Sequence, residues 1–587
     1  MKFLLVAMNA KYIHSNPGLY SMRACVPQAY RDLVEIAEYT INHRMEEVLS
    51  DLYERHPDVV GFSCYIWNWT QIKELTAELH KVLPAVPIWL GGPEVSYDAA
   101  AILEELPQLT GIMIGEGELT FTELLMRYLS GESAYDVVGT TCRTPDGAII
   151  RNPERELTDL STLPFLYEKL DDFDNRIIYY ESGRGCPYRC SYCLSSIDKR
   201  VRLRDLSIVY KELQFFLDHN VSQVKFVDRT FNCNAEHALG IWEYLKEHDN
   251  GVTNFHFEIA AEILTEEQLA VLNTLRPGLV QLEIGVQTTN RKTLEAIHRP
   301  MKLDRLRSIV VRLKAAGNIH IHLDLIAGLP YEDYESFTHS FDDVYRMHPE
   351  QLQLGFLKVL KGSEMQARAA EFGIIYTQNP PYEVLYSDWI SYEELRRLKQ
   401  VEEMVELYYN SNQFVYTLRL LEGCFATPFL LYDRLAAFYK EEGYLTRTPA
   451  RGYRYDVLYQ FIKREVPQYE TLFRETLLFD LFLRENVKKR PDFAPGENLS
   501  DAQKDSLRDF YKEQERQYDV LTGYQGFDAK QMSKMTHAES FQYPVDRLGD
   551  GCRPQDIKAL AAPQLLLFDY RERNPLTQDA RVVSLSC

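Results

Sequence analysis

The sequence predicts an α/β chain in three parts: a doubly wound, Rossmann-like parallel sheet, a partial (β/α)6 barrel, and a mostly helical C-terminal domain. Three observations carry that expectation. Short apolar runs alternate with amphipathic ones through residues 1–135, and the alternation returns six times between 176 and 365. Past residue 366 it stops, leaving Tyr, Leu and Glu at helical spacing. The 587 residues provide for roughly two to four domains. A 45% hydrophobic and 26% charged content is ordinary for globular protein.

In the first part, Lys2–Met8, Val59–Cys64, Pro87–Gly92 and Gly111–Gly115 are apolar enough to be buried on both faces, as parallel strands are. The first run lacks a small-residue cleavage site and reads as a strand, not a leader. Ligands in such sheets sit beyond the carboxyl ends of the strands, here residues 9–16, 63–68, 91–94 and 115–118. Residues 136–175 read as a linker with a hairpin turning at Pro145-Asp146-Gly147. Barrel strands start near Ile177, Gln223, Asn254, Leu279, Ile319 and Gln351, and a helix from Leu303 closes at Gly317. Catalytic residues of such barrels lie at strand C-terminal ends. Residues 366–587 read as helices ending in strands around Leu565–Tyr570.

Directly after the first barrel strand comes GRGCPYRCSYCLSS, with Cys186, Cys190 and Cys193 spaced C-x-x-x-C-x-x-C and Tyr192 before the last thiol. Three thiolates on one loop hold three irons of a [4Fe–4S] cluster, for which four protein ligands are usual. The remaining iron stays open for chemistry, as an incompletely ligated metal does. A zinc site is the alternative reading. The other seven of the ten cysteines are scattered, and Cys424, Cys552 and Cys587 are too dispersed to suggest a second cluster. That usage fits a reducing cytoplasm. A net charge of −21 without a dense Lys/Arg block argues against extended nucleic acid as the main partner. No apolar run of about 18 residues occurs, so no membrane span is expected.

The cysteine spacing resembles the radical S-adenosylmethionine (SAM) superfamily. The resemblance implies that SAM chelates the open iron and is cleaved by one electron to methionine and a 5′-deoxyadenosyl radical. The segments FHFEIAAE, EIGVQTTNRKTLEAIHRP and HLDLIAGLP resemble the oxygen-independent coproporphyrinogen oxidase branch. That likeness implies Glu258, Gln287, Arg299 and Asp324 as SAM contacts. An arginine suits the methionyl carboxylate, and carboxylates with an amide suit hydroxyls and an ammonium group. Taken singly, Glu258 or Asp324 reads equally as a barrel-interior salt bridge. The superfamily's Gly-Gly-Glu turn is missing from FVDRTFN, which leaves Asp228 and Thr230 to substitute, with Tyr192 beside the cluster. His320 and His322 read as packing residues.

The GGPE and GEGE turns are similar to those of cobalamin-binding domains, which implies Gly91, Gly92, Gly115 and Glu116 at that cofactor. A generic Rossmann-like domain is the alternative. The cobalt-ligand motif D-x-H-x-x-G is absent, since His14 follows Tyr12 and precedes Pro17. Cobalamin is therefore expected without a histidine ligand from this motif, and His14 reads as a loop residue.

The domain order resembles cobalamin-binding radical SAM enzymes. It implies methylation of an unactivated carbon in a small molecule or peptide, with a reductant such as flavodoxin or ferredoxin. Three alternatives stay open: a cyclase, rearrangement or oxidation enzyme without methyl transfer; a methylthiotransferase, whose N-terminal cysteines Cys25, Cys64 and Cys142 do not reproduce; and a non-catalytic cobalamin or redox sensor. No catalytic residue is assigned. The C-terminal domain is expected over the barrel mouth, with Tyr382, Tyr386 and Trp389 as substrate contacts.

Overall fold

Strand β1 (Phe3–Asn9), buried along its whole length, runs through the first sheet beside β2 (Val34–Thr40) and β3 (Val59–Ser63). β4 (Ile88–Gly91) and β5 (Gly111–Met113) continue it in parallel. These observations come from a computed structural model that describes residues 1–587 except 168, 198–199, 447–448, 488, 495, 497–498, 550 and 586–587. Cys587 thus lies outside the described residues. The strand order β2-β1-β3-β4-β5 reverses between β1 and β3, and the loops after those two strands open a crevice there.

Two features depart from the sequence reading. β2 alternates buried and half-buried residues instead of forming an apolar run, so a search for buried runs passes over it. The hairpin β6 (Thr140–Arg143) and β7 (Ile149–Arg151) extends the same sheet antiparallel to β5. Thr140, Thr141 and Cys142 are buried, and buried backbone groups need the partners that β5 supplies.

The overlooked strand organises the crevice. The Glu38 carboxylate accepts from the Asn16 backbone N–H at 2.8 Å, from Asn9 Nδ2 at 2.9 Å and from the Tyr20 hydroxyl at 2.9 Å. It also pairs with Arg176, which leads into the barrel, and both side chains are largely buried.

The second sheet holds six parallel strands in chain order: β8 (Ile178–Tyr180), β9 (Gln223–Phe226), β10 (Asn254–Ile259), β11 (Val280–Gln287), β12 (His320–Ala327) and β13 (Gln351–Phe356). It is open between β8 and β13, a partial barrel. Alternation along the strands sorts its faces. Val224, Phe255, Phe257, Leu282, Ile284 and Leu323 join the apolar core. Residues of the opposite parity, including Lys225, Glu258, Glu283 and Asp324, face inward. The helix Leu303–Ala316 stops where Gly317 turns left-handed at φ 64°.

The C-terminal part is helical and closes on the antiparallel strands β14 (Thr536–Phe541), β15 (Gln564–Arg573) and β16 (Ala580–Leu585). It packs against the open edge of the barrel. The Asn410 amide caps β13 by accepting from the Leu352 N–H and donating to its C=O, both at 2.9 Å, which satisfies an otherwise bare edge. Asp342 accepts from the Phe429 N–H at 2.8 Å.

Replacing Glu38 with alanine should destabilise the protein by roughly 3–5 kcal/mol, because Arg176 then keeps a buried charge without a partner. Chemical denaturation checks this, and Glu38→Gln should cost less because it keeps an acceptor for the Asn16 N–H.

Candidate cluster and cofactor site

Cys186, Cys190 and Cys193 all line one cavity of about 160 Å³ at the C-terminal end of the barrel strands. Two thiols are buried and the third is half-buried. Gly185 makes the entry turn at φ 96°, where a Cβ would sit 2.3 Å from the Arg200 carbonyl. Ser196 Oγ donates to the Cys190 and Cys193 carbonyls at 2.9 and 2.6 Å and closes the loop. Ser191 ties it down, its N–H donating to Ile297 at 3.0 Å and its carbonyl accepting from Met365 at 2.7 Å. Among the described residues no fourth cysteine lines the cavity; Cys233 lies outside the lining.

The same walls carry Tyr192, Thr230, Glu258, Gln287, Arg299 and Asp324. Gln287 sits in the left-handed region at φ 70°, just past a bulge in β11. Such strain in a non-glycine residue marks a site held by its surroundings. Gly285 makes room for it, since a Cβ there would fall 2.2 Å from Gln287 Nε2. Arg299 reaches Cys190 Sγ at 3.7 Å and donates to the Gly285 carbonyl, while its buried Nε has no hydrogen-bond partner. Asp324 Oδ1 is likewise buried, with His322 Nε2 3.1 Å away but not aligned for a hydrogen bond. An unpaired cationic N–H in this cavity fits a carboxylate ligand, and three thiols on one wall fit a cluster.

Burial raises the Asp324 carboxyl well above the usual range, reinforced by the charges of Glu283 and Glu258. Burial also raises Glu258, although Arg229 opposes this from 3.7 Å. Burial works against the Glu283 carboxylate too, but His256 and Lys225 outweigh it and hold Glu283 at about 2. Glu283, His322 and Asp324 each bring one ligand atom within 4.8 Å of the others. The Lys225 ammonium 3.2 Å from Glu283 already supplies positive charge there, which disfavours a further cation.

Asp228 is not among these walls. It shares the parity of Phe226, turns outward, and accepts from the Ser182 N–H at 2.9 Å and hydroxyl at 2.8 Å. Arg229 and Thr230, the next two residues past the strand, both line the cavity.

A second cavity of about 790 Å³ lies between the first sheet and the barrel. Gly91, Gly92, Gly115 and Glu116 line it from one side, Tyr179 and Arg184 from the other. Gly115, at φ 73°, leaves open space where a Cβ would stand, a cradle for a close-fitting ligand. Gly92 has another reason to be glycine, since a Cβ would lie 2.5 Å from the Cys64 carbonyl. The Glu116 carboxylate is engaged by protein: it pairs with Arg202, with Arg184 at 3.3 Å, and with the Thr158 N–H at 3.0 Å. Burial opposes that charge, but the arginines hold it at about 2. His14 is a loop residue whose Nδ1 lies 2.6 Å from the Tyr179 hydroxyl.

The expected substrate contacts go elsewhere. Tyr382 is buried against Glu94, which also pairs with Lys361 at 3.3 Å. Trp389 packs on Tyr331 with ring centroids 4.4 Å apart, and Tyr386 is exposed. Among the described residues, nothing beyond 366 lines either cavity.

Residues 4–125 match the family described as B12 binding domain, and residues 180–344 match the Radical SAM superfamily. The chain thus carries a B12 binding domain followed by a radical SAM domain, and it is similar to cobalamin-dependent radical SAM enzymes. Residues 370–558 of this radical SAM protein match Protein of unknown function (DUF4080). The cobalamin-dependent radical SAM methyltransferase TokK of Streptomyces tokunonensis is 28% identical over 300 residues, 48% of this chain and 44% of TokK. The anaerobic magnesium-protoporphyrin IX monomethyl ester cyclase of Rubrivivax gelatinosus is 23% identical over 335 residues, 55% of this chain and 60% of the cyclase. The chain thus spans about half the length of these curated relatives. The cobalamin-dependent radical enzyme OxsB with aqua-cobalamin shares the fold at TM-score 0.56 and 14% identity, covering 82% of this chain and 80% of OxsB. No helix among the described residues is long and apolar enough to cross a membrane.

Glu332 gives a pH test of the loop that carries Gln287. Fully buried, it accepts from Thr288 and from Ser340 Oγ at 2.8 Å, and burial raises its carboxyl to about 7. A raised acid stabilises the fold fully below its unfolded value of about 4.3, and that contribution is lost as pH rises through the folded value. Denaturation midpoints of wild type should fall more steeply than those of Glu332→Gln between about pH 4 and 7.

Proposed function

We propose that this protein is a cobalamin-dependent radical SAM enzyme that C-methylates an unactivated carbon of a small-molecule or peptide substrate. The observation that carries the reading is the shared loop: Arg184 lines the interdomain cavity two residues before Cys186, whose thiol lines the barrel cavity. Two reaction centres placed that way reach one substrate carbon, and proximity supplies much of the rate. When bound, the cluster and SAM supply the radical and cobalamin the methyl group.

The protein's own residues do the placing. Cys186, Cys190 and Cys193 hold the cluster. Arg299 directs its free Nε to the SAM carboxylate, with Gln287 and Thr230 as neutral partners. Asp324, whose carboxyl burial pushes well above the usual range, offers a hydrogen-bonding group on the wall of the cavity that the thiols line. Glu258 balances the cationic end of SAM, and Tyr192 walls the cavity against water. Gly91, Gly92 and Gly115 line the corrin's approach, and Glu116 holds that turn against the barrel. The TokK likeness favours methyl transfer. The cyclase likeness favours a second reading, radical chemistry without methyl transfer.

Anaerobically reconstituted protein should hold about four irons per chain, and Cys193→Ala should lose most of them and all SAM cleavage. Arg299→Ala should weaken SAM binding about 10- to 100-fold, the worth of one charge-assisted hydrogen bond. Once the substrate is supplied, a methylase yields both 5′-deoxyadenosine and S-adenosylhomocysteine. The second reading yields the former alone, and a reduced, iron-replete protein that forms neither contradicts both.

A further inference from the structure

The cluster loop has a second neighbour that the proposed reaction does not use. On the outer side of Arg299 lies a surface groove of about 900 Å³, formed by the short helix Arg291–Ala296, the turn after it and the start of the helix Leu303–Ala316. Its lining holds five Lys or Arg side chains against two acidic ones. Over residues 291–314 the sequence carries eight Lys or Arg and two acidic residues, in a chain whose net charge is −21. Arg291 and Lys302 are exposed and have no carboxylate partner among the described residues. Arg305 donates to the Leu264 carbonyl at 3.0 Å and faces the Glu266 carboxylate, and Arg307 lies 3.5 Å from Asp343. Outside the groove lining, Arg312 and Lys314 pair with Glu266 and Glu350.

This groove is joined to the cluster loop at two points. Arg299 lines both the groove and the thiol cavity and lies 3.7 Å from Cys190 Sγ. Ser191, between the second and third cysteines, donates its N–H at 3.0 Å to Ile297 at the end of the groove's first helix. Arg189 adds an exposed cation on the loop itself. The groove shares no residue with the interdomain cavity, so a partner seated there leaves the cobalamin side untouched.

We infer that this cationic groove is the docking surface for a small acidic protein that delivers single electrons at low potential, of the flavodoxin or ferredoxin kind. The inference rests on the functional reading above, which needs an electron from outside. One electron leaves the donor's reduced centre, which is oxidised by one, and enters the cluster, which is reduced by one; no bond or proton moves. Exposed positive charge here attracts and orients an anionic partner that the otherwise acidic surface repels, and such steering weakens steeply with salt. Nucleic acid is the less fitting occupant, because the groove lining contains no Phe, Tyr or Trp and its one imidazole, His298, is 3.6 Å from the Glu364 carboxylate.

The test uses reconstituted holoprotein and purified flavodoxin. Variant R291E/K302E reverses two groove charges outside the cofactor sites, and K440E makes a similar change on the remote C-terminal domain. Calorimetric titration at low ionic strength should show flavodoxin binding at least tenfold weaker to the double variant and unchanged for K440E. Stopped-flow bleaching of the cluster should slow at least tenfold with reduced flavodoxin and stay at the wild-type rate with dithionite. Equal binding and equal rates for wild type and double variant overturn the docking surface alone. So does an equal loss with K440E, or a double variant that loses affinity for an RNA oligonucleotide and not for flavodoxin. A wild-type protein with no cluster that dithionite reduces overturns the functional reading and this inference together.

Discussion

Arg184 stands two residues ahead of the first cluster cysteine, and its guanidinium meets three carboxylates: Glu118 at 2.8 Å and Glu116 at 3.3 Å from the first domain, and Glu181 at 2.7 Å from its own strand end. This junction fixes the thiol loop against the glycine turns of the parallel sheet. Two other contacts work with it across the same boundary, Arg176 with Glu38 and Lys361 with Glu94. Each brings a largely buried carboxylate from the first domain to a cation from residue 176 or beyond. Buried pairs of this kind add little net stability over apolar packing, yet removing one partner is costly. Their consequence here is geometric: two cavities stay in register across a domain boundary that apolar contact alone would let slide.

The barrel reaches its site by a different route. Strand alternation gives one apolar face for the helices and one polar face inward, so the interior is a charged lining instead of a packed core. Glu258, Glu283 and Asp324 would repel one another strongly if all were ionised. The fold answers by compensating Glu283 with His256 and Lys225 and by burying Asp324, which pushes its carboxyl well above the usual range. That division leaves one compensated anion, one carboxyl raised by burial and a free arginine N–H around the thiols, a set suited to a zwitterionic ligand with hydroxyl groups.

Much of this was legible because it is local. The three thiols sit within one loop, and the six barrel strands announce themselves by apolar alternation. Gln287, Arg299, Glu258 and Asp324 lie at strand ends or just past them, where the topology sends residues to the mouth. What stayed hidden depends on distant partners. Nothing near Glu38 in sequence shows that it orders residues 9–16 and receives Arg176, and its strand lacks the apolar run that marks the others. Glu116 read as a ligand to a cofactor because its two arginines come from a different domain. Asp228 is held away from the cavity by Ser182, 46 positions before it, and Tyr382 by a partner, Glu94, that lies 288 positions away. The C-terminal domain carries no motif to say which barrel face it covers. That is settled by Asn410 meeting the bare edge of β13.

The central claim is a cluster held by three thiols whose open iron binds SAM. Electron paramagnetic resonance of the dithionite-reduced protein, recorded with and without SAM, addresses it most directly. The account predicts a [4Fe–4S]⁺ signal whose g values shift when SAM is added, and no such shift in Arg299→Ala at the same SAM concentration. A reduced cluster whose spectrum ignores saturating SAM in the wild type would contradict it.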